Sequence, residues 1–558
     1  MTNLRFALVL ALASCAHHDP APPTAPAVHA ALAGGWAGTI DLPGQPLAFS
    51  VVLGDDGKGT IDIPAQGATG LALSRVALAG DRVSFELAQV GAAFTGTLRG
   101  DAIAGTMTQS GQRFPFQLAR KGAAPAADRY VPPPPGPALA ASDAGDLVGG
   151  WRGAAGPTAL ALELAVRGDG VVGTAGLGAG CPHARHVAHL TRHGARIQFE
   201  LDSKPPAYFD GELAAGAITG TLHRGGAASP ARLTRVVPPA VPYRELEVAI
   251  ASTGGVTLAG TLTLPAGAAR APAVVMVTGS GPQDRDECVY GVRPFRQLAD
   301  YLARHGIASL RYDDRGTARS TGDFAAATPP DFADDARAAL ALLRTRAEID
   351  PARIGILGHS EGGIIAPMVA AQTRDVAFIV LWAGPALPMP EVDVQQTGDM
   401  MRAEGAPEAA VASEVSRERR VMAALATAHS EAELRAALRA ISDDPAWIDA
   451  RVADTWSPWL RWYLDYDPAA TLAKLRCPVL ALDGSLDMQV AAAPNLAAIR
   501  KALAHHADVE VDELPGLNHL FQRARTGAVS EYAQHPAIDD AVLEVTTRWI
   551  AKHAGLGS

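Results

Sequence analysis

RIGILGHSEGGIIA, residues 353–366, opens on an apolar run of strand length, breaks at Gly358 and resumes from Gly362 as the start of a helix. The break carries the pattern Gly-x-Ser-x-Gly. A turn from a buried strand straight into a helix is so tight that the residues flanking the serine must lack bulky side chains, hence Gly358 and Gly362. Ser360 is then presented alone at a helix N-terminus, where free N–H groups and the peptide dipole favour an oxyanion. Pro367 falls inside that helix, where it removes a backbone hydrogen bond and is expected to bend it. With 56 glycines in 558 residues the pattern alone decides little, so its surroundings must carry it.

From Tyr243 onward the texture around this stretch is uniform. Runs such as Ala273–Val277, Ser309–Tyr312, Ile354–Leu357, Phe378–Trp382 and Pro478–Leu482 alternate with helical stretches such as Phe332–Leu343. Strands that are continuously apolar, with no polar alternation, predict a parallel sheet covered on both faces, and so an α/β domain over residues 243–558.

A serine hydroxyl is a poor nucleophile at neutral pH unless a base takes its proton, and the base needs an acid to fix its tautomer. On a strand–elbow–helix scaffold the acid follows a late strand and the histidine comes last. After Leu482 the chain reads Asp483-Gly484-Ser485-Leu486-Asp487, and later Gly516-Leu517-Asn518-His519. Asp487 and His519 are the expected partners of Ser360. Asp483 is the rival acid, but it precedes the Gly484 turn, whereas Asp487 occupies the loop that can reach an imidazole. His505, His506, His535 and His553 sit in polar helical or terminal settings and read as solvated surface. Ser280 and Ser320, the other serines in glycine-containing loops, lack the strand-to-helix context.

Residues 243–558 resemble a bacterial exported α/β-hydrolase of the carboxylesterase kind, similar to serine-aminopeptidase-like and dienelactone-hydrolase-like enzymes. The pieces that carry the likeness are Thr278-Gly279-Ser280-Gly281-Pro282-Gln283-Asp284-Arg285-Asp286-Glu287, Arg311-Tyr312-Asp313-Asp314-Arg315-Gly316 with Arg319-Ser320, GHSEGG at 358–363, Asp487 and Asn518-His519. The resemblance implies an oxyanion hole made by the N–H of Glu361 and a second N–H from Ser280 or Gly281. Thr278-Gly279 stands where the family has His-Gly, and Gly316-Thr317-Ala318-Arg319-Ser320 alters the usual Gly-x-Gly-x-Ser. Asp284, Arg285, Asp286 and Arg315 are expected to form a structural ion-pair network at the site mouth. A helical insertion at about 385–468 reads as a lid. Its Trp456, Trp459, Trp462 and Tyr463 are expected to pack in the lid core, with lining of a substrate pocket as the functional alternative.

Upstream, the chain repeats itself. Gly34-Gly35-Trp36-Ala37-Gly38 recurs as Gly149-Gly150-Trp151-Arg152-Gly153, Val83–Leu87 as Ile197–Leu201, and Phe94–Met107 as Phe209–Leu222, each displaced by nearly the same distance. Short alternating segments separated by Gly/Asp turns predict antiparallel sheet. The expected fold class is therefore an α/β-hydrolase with a mainly parallel sheet and helical lid, preceded by two repeated all-β domains, small barrels or sandwiches with packed interiors. Proline runs place the β modules at 32–120 and 146–236, with linkers at 121–145 and 237–242.

Residues 1–14 read as a secretory signal, too short to span a bilayer. Leu12-Ala13-Ser14-Cys15 resembles a bacterial lipobox, which would make Cys15 a lipid anchor, residues 15–31 a tether, and the protein an exported cell-envelope lipoprotein; Ala16 resembles the sorting signal for an outer membrane. Of Cys181, Cys288 and Cys477 at most two can pair. Cys181-Pro182-His183-Ala184-Arg185-His186 places thiolate beside imidazole, but the spacing matches no zinc-ligand pattern and no metal is expected.

The formal net charge of −10 lacks the basic footprint that phosphate demands, so no nucleic-acid partner is expected. The chemistry expected is hydrolysis of a small-molecule carboxylic ester through an acyl-enzyme, with no cofactor. Amide or peptide hydrolysis by the same triad is the second reading. The third is a non-catalytic lipoprotein whose β modules contact an envelope polymer.

Overall fold

The computed structural model describes residues 32–556, apart from 43–44, 55–56, 64–67, 88–91, 110–111, 122–131, 133–138, 157, 178–184, 202–205, 225–226, 237–239, 268–269 and 536. Cys15, Cys181 and the signal and tether segments lie outside the described residues.

Both N-terminal units are antiparallel and are built alike. The first holds nine strands in one sheet, from Gly34–Leu42 to Gln112–Arg120, with the first strand paired to the second and to the last. The second closes as a barrel of eight strands, from Gly149–Ala155 to Ala227–Arg235. In each, the landmark tryptophan is fully buried and donates its indole N–H to the carbonyl four residues upstream: Trp36 to Leu32 at 3.0 Å and Trp151 to Leu147 at 2.8 Å. A guanidinium from the last strand covers each ring, Arg120 on Trp36 and Arg235 on Trp151. The glycine two residues on lets the first and last strands cross: a Cβ at Gly38 would lie 1.8 Å from Gln117 O, and one at Gly153 1.8 Å from Arg232 O. The repeat seen in sequence is thus a repeat of contacts. Phenylalanine stacks fill both interiors, Phe85 on Phe94 and Phe199 on Phe209.

The third unit has a sheet of eight strands, and the labels that follow number its elements. They are β1 (Tyr243–Ala251), β2 (Thr257–Pro265), β3 (Ala271–Val277), β4 (Ala308–Tyr312), β5 (Ile349–His359), β6 (Ile379–Trp382), β7 (Val479–Gly484) and β8 (Val509–Leu514). Their spatial order is β1-β2-β4-β3-β5-β6-β7-β8; β1 and β2 run antiparallel to their neighbours and the rest are parallel. β3, β4, β6 and β7 are buried along their whole length, as the continuous apolar runs predict. The covering helices are α1 (Pro294–Arg304), α2 (Pro329–Thr345), α3 (Gly362–Ala370), α10 (Ala492–Ala502) and α11 (Asp540–His553).

The insertion between β6 and β7 is helical: α4 (Met389–Ala403), α5 (Glu408–Thr427), α6 (Glu431–Leu438), α7 (Pro445–Thr455), α8 (Pro458–Tyr463) and α9 (Pro468–Leu472). It has its own small core around Val421, Leu425, Leu434 and Trp447. Trp459 packs against both this core and the main one. Among the described residues no helix is long and apolar enough to cross a membrane.

Two surface readings need correction. His505 and His535 are exposed, but His553 has a side chain only 7% exposed, lying on Trp549 with Nε2 3.2 Å from Asp508, and His506 is half-buried. Aromatic packing inside a helix end drew His553 in, which polar sequence context could not reveal. Cys288 is disulfide-bonded, to a partner outside the described residues, and Cys477 is free, its thiol pushed up to about 11 by burial.

Candidate active site

The chain leaves β5 at His359 and enters α3 at Gly362. Between them Ser360 takes φ 52°, a left-handed conformation that costs a non-glycine residue about 1–2 kcal/mol. Two bonds hold it there: Ser360 N–H donates to Trp382 O, and Gly363 N–H to Ser360 O, both at 2.8 Å. The glycines are required by backbone approach. A Cβ at Gly358 would lie 1.9 Å from Gly362 O, and one at Gly362 would lie 2.1 Å from Val277 O. Pro367 is accommodated within α3, all of whose residues are buried.

The loops after β7 and β8 bring Asp487 and His519 together. His519 Nδ1 is 2.6 Å from Asp487 Oδ2, and both side chains are almost wholly buried. Asp487 Oδ1 accepts the N–H groups of Gln489 at 2.7 Å and Val490 at 2.8 Å, which fixes the carboxylate plane. Ser360 Oγ makes no hydrogen bond to His519 Nε2, a contact that in unliganded sites often tightens only with substrate. Asp483, the rival acid, ends β7 and accepts Gly484 N–H at 2.8 Å. Burial first, and then the charge of Asp487, hold its carboxyl well above the usual range. Asp483 Oδ2 is buried without a hydrogen-bond partner.

On the other side of the serine, the loop after β3 approaches so closely that a Cβ on Gly279 would lie 3.1 Å from Ser360 Cβ. Gly279 N–H is spent on Glu287 Oε1 at 2.6 Å. Ser280 and Gly281 N–H have no acceptor among the described residues. Glu361 is the N-cap of α3, and its carboxylate accepts from two residues of the lid helix α8, Trp459 Nε1 at 2.5 Å and Tyr463 OH at 2.8 Å. The tryptophan cluster therefore does more than fill the lid core: it ties the lid to the elbow. Trp456 instead stacks under Arg461, 4.0 Å away.

A narrow recess of about 10 Å³, room for roughly one water and partly open to solvent, is lined by Gly279, Glu361, Tyr312, Asp314, Phe324 and Phe332. Asp314 accepts from Thr278 Oγ1 and Gln283 N–H, and burial holds its carboxyl well above the usual range.

The expected ion-pair network is present for three of its four members. Arg285 grips Asp313 with two bonds of 2.7 and 2.9 Å and reaches Glu247; Asp286 pairs with Arg311 and Arg293; Arg315 grips Asp335. Asp284 is the correction. It meets no guanidinium, and Oδ1 instead accepts the N–H groups of Asp286 and Cys288, turning the loop on itself. Burial pushes this carboxyl up to about 6. In the altered Gly-x-Gly-x-Ser loop, Ala318, at the place of the usual second glycine, adopts φ 46°. Ser320 Oγ donates to Asp313 O and accepts Ala259 N–H, a bracing role.

His359 escaped the sequence reading, being taken only as the variable residue of the pattern. It is a polar residue in an otherwise apolar buried strand, and that was the available signal. Its ring lies between Glu287 and the carbonyl of His519. Among the described residues no group of three or more His, Cys, Asp or Glu side chains is arranged to hold a metal ion.

Comparison with known proteins bears on residues 292–523, which match the family described as serine aminopeptidase, S33. A curated relative, esterase EstD of Thermotoga maritima, is 26% identical over 296 residues, covering 53% of this chain and 66% of the relative, so the chain spans just under two thirds of that protein's length. Among solved structures, α/β-hydrolase GrgF of Penicillium is 18% identical with a TM-score of 0.37, covering 56% of this chain and 100% of that one. The Pyrococcus furiosus esterase Pf2001 is 14% identical with a TM-score of 0.37, covering 57% and 97%.

Proposed function

We propose, from the premise that the C-terminal part of this chain is an esterase-like α/β-hydrolase, that it cleaves small carboxylic esters through an acyl-enzyme. Ser360 attacks the carbonyl, His519 takes the serine proton and returns it to the leaving alkoxide, and Asp487 holds His519 in the tautomer with Nδ1 protonated. Glu361 N–H and Ser280 or Gly281 N–H receive the oxyanion. The observation that carries this reading is the 2.6 Å approach of His519 Nδ1 to Asp487, beside a serine held at φ 52°.

A second reading, amide hydrolysis by the same triad, is favoured by the family description. Matched substrates decide between them. The expected result is a kcat/KM for p-nitrophenyl butyrate at least about 100-fold above that for alanine p-nitroanilide, a difference of roughly 2.7 kcal/mol in barrier. The reverse preference would replace the esterase reading with an aminopeptidase.

The anchor is a separate proposal: Cys15 is lipidated, residues 15–31 tether the protein to the cell envelope, and the β modules contact an envelope polymer. Its support is the Leu-Ala-Ser-Cys sequence after a short apolar leader. Cys15→Ala is expected to abolish labelling by a fatty-acid probe in the producing bacterium; equal labelling of both forms would refute the anchor.

A further inference from the structure

His359 lies immediately before the nucleophile, with its side chain 4% exposed, and both of its ring nitrogens face groups that only accept. Nδ1 is 2.9 Å from Glu287 Oε1, and Nε2 is 2.9 Å from the backbone oxygen of His519. A neutral imidazole carries one N–H and satisfies one such partner. Two bonds therefore require two protons across the ring and its contact with Glu287. Glu287 Oε1 also accepts Gly279 N–H at 2.6 Å, and Oε2 is buried without a partner. Two proton placements satisfy both contacts, an imidazolium opposite an ionised carboxylate or a neutral imidazole opposite an acid proton on Oε1, and the Gly279 N–H bond of 2.6 Å, as short as a charge-assisted one, favours the first.

We propose that His359 is a standing imidazolium that positions the reacting groups, through the unbroken chain Gly279 N–H to Glu287, Glu287 to His359, and His359 to the His519 carbonyl. The inference rests on the reading of Ser360 and His519 as nucleophile and base. It goes further by assigning a task to the residue inside the elbow and to the buried carboxylate opposite it. The chain joins the loop after β3, the elbow and the loop after β8, so one charged pair sets the spacing of the oxyanion donors from the base. His359 takes no proton from substrate. Its ring centroid is 4.8 Å from that of His519, and the other ring against it is Phe521.

The titratable groups around His359 are Glu287 after β3, Asp487 after β7 with Asp483 behind it, and His519 after β8. Burial presses the imidazole toward neutrality, but the charge and bond of Glu287, the His519 carbonyl and the field of Asp487 outweigh it and raise the His359 pKa above the ordinary histidine value. A folded-state pKa above the unfolded one means that the stabilisation is fully present below about pH 6.5 and is lost as pH rises through the folded-state value. On that rise one of the two hydrogen bonds must break.

The test uses the full chain with ¹⁵N-labelled histidine. At pH 7 the wild type is expected to show one buried ring with both nitrogens protonated, identified by its contact with the His519 ring and absent from His359→Gln. In Glu287→Gln that ring should carry a single proton. Steady-state rates on p-nitrophenyl butyrate for Glu287→Gln should show kcat lowered roughly 10–100-fold with KM changed less than about threefold, as expected for lost positioning. The alkaline decline in wild-type stability that follows His359 should be missing from the variant. A singly protonated ring in the wild type at pH 7 would overturn the proposal, and needs no variant to fold. A Glu287→Gln enzyme with unchanged kcat and pH profile would also overturn it. Activity that survives Ser360→Ala would instead remove the underlying reading, leaving the protonation result to stand or fall by itself.

Discussion

Ser360→Ala is expected to lower kcat/KM for p-nitrophenyl butyrate by roughly 10⁴-fold or more, while the unfolding midpoint stays that of the parent. Alanine keeps the β-carbon, so it inherits the φ of 52° and the bonds of Ser360 N to Trp382 O and of Gly363 N to Ser360 O. What it loses is the oxygen that attacks. Residual catalysis would come from the oxyanion donors and substrate binding alone. A variant that is folded by circular dichroism and retains a tenth or more of the parent rate would rule out Ser360 as nucleophile.

Asp487→Asn should cost about 10⁴-fold in kcat, and the reason lies in the second oxygen. Asp487 Oδ1 accepts two backbone N–H groups, from Gln489 and Val490. The single amide oxygen of an asparagine would be claimed by those donors, turning its NH₂ toward His519 Nδ1. The imidazole would then have to protonate Nε2, which could no longer accept the serine proton. Asp483→Asn has the opposite expectation, within about threefold of the parent, because an amide oxygen still accepts Gly484 N–H and it is Asp487, not Asp483, that meets His519. Steady-state rates of the two variants, measured side by side, decide which carboxyl is the triad acid; a severe loss in Asp483→Asn with a mild one in Asp487→Asn would exchange the roles.

The parts of this molecule that were legible in the amino-acid sequence are those whose cause is local. Gly358 and Gly362 announce a turn that only backbone can fill, and the apolar run before them announces a strand covered on both faces. The duplicated tryptophan and glycine landmarks announce the same strand crossing made twice. Asp487 and His519 could be placed because each follows a strand in the order the scaffold imposes. What stayed hidden depends on contacts between loops distant in the chain. His359 and Glu287 are 72 residues apart in sequence, and nothing near either one specifies the other. Asp284 read as an ion-pair partner because it stands among arginines and aspartates, whereas its short side chain finds the N–H groups of its own turn first. The bonds from Trp459 and Tyr463 to Glu361 were hidden likewise: aromatic spacing on α8 shows a packed face without showing that two of its polar tips end on one carboxylate.

Those two bonds make the roof and the reaction centre a single inherited part. Trp459 and Tyr463 end on the side chain whose own peptide group heads α3, so a change that reshapes the lid at α8 also disturbs the residue next to the nucleophile. If Ser360 is the nucleophile as proposed, substrate range and turnover are consequently linked through Glu361. On the proposed reading, a change in α8 that reshapes the lid acts also on the peptide that heads α3. Within the insertion, α8 is thus the helix joined by two side-chain bonds to the elbow beneath it.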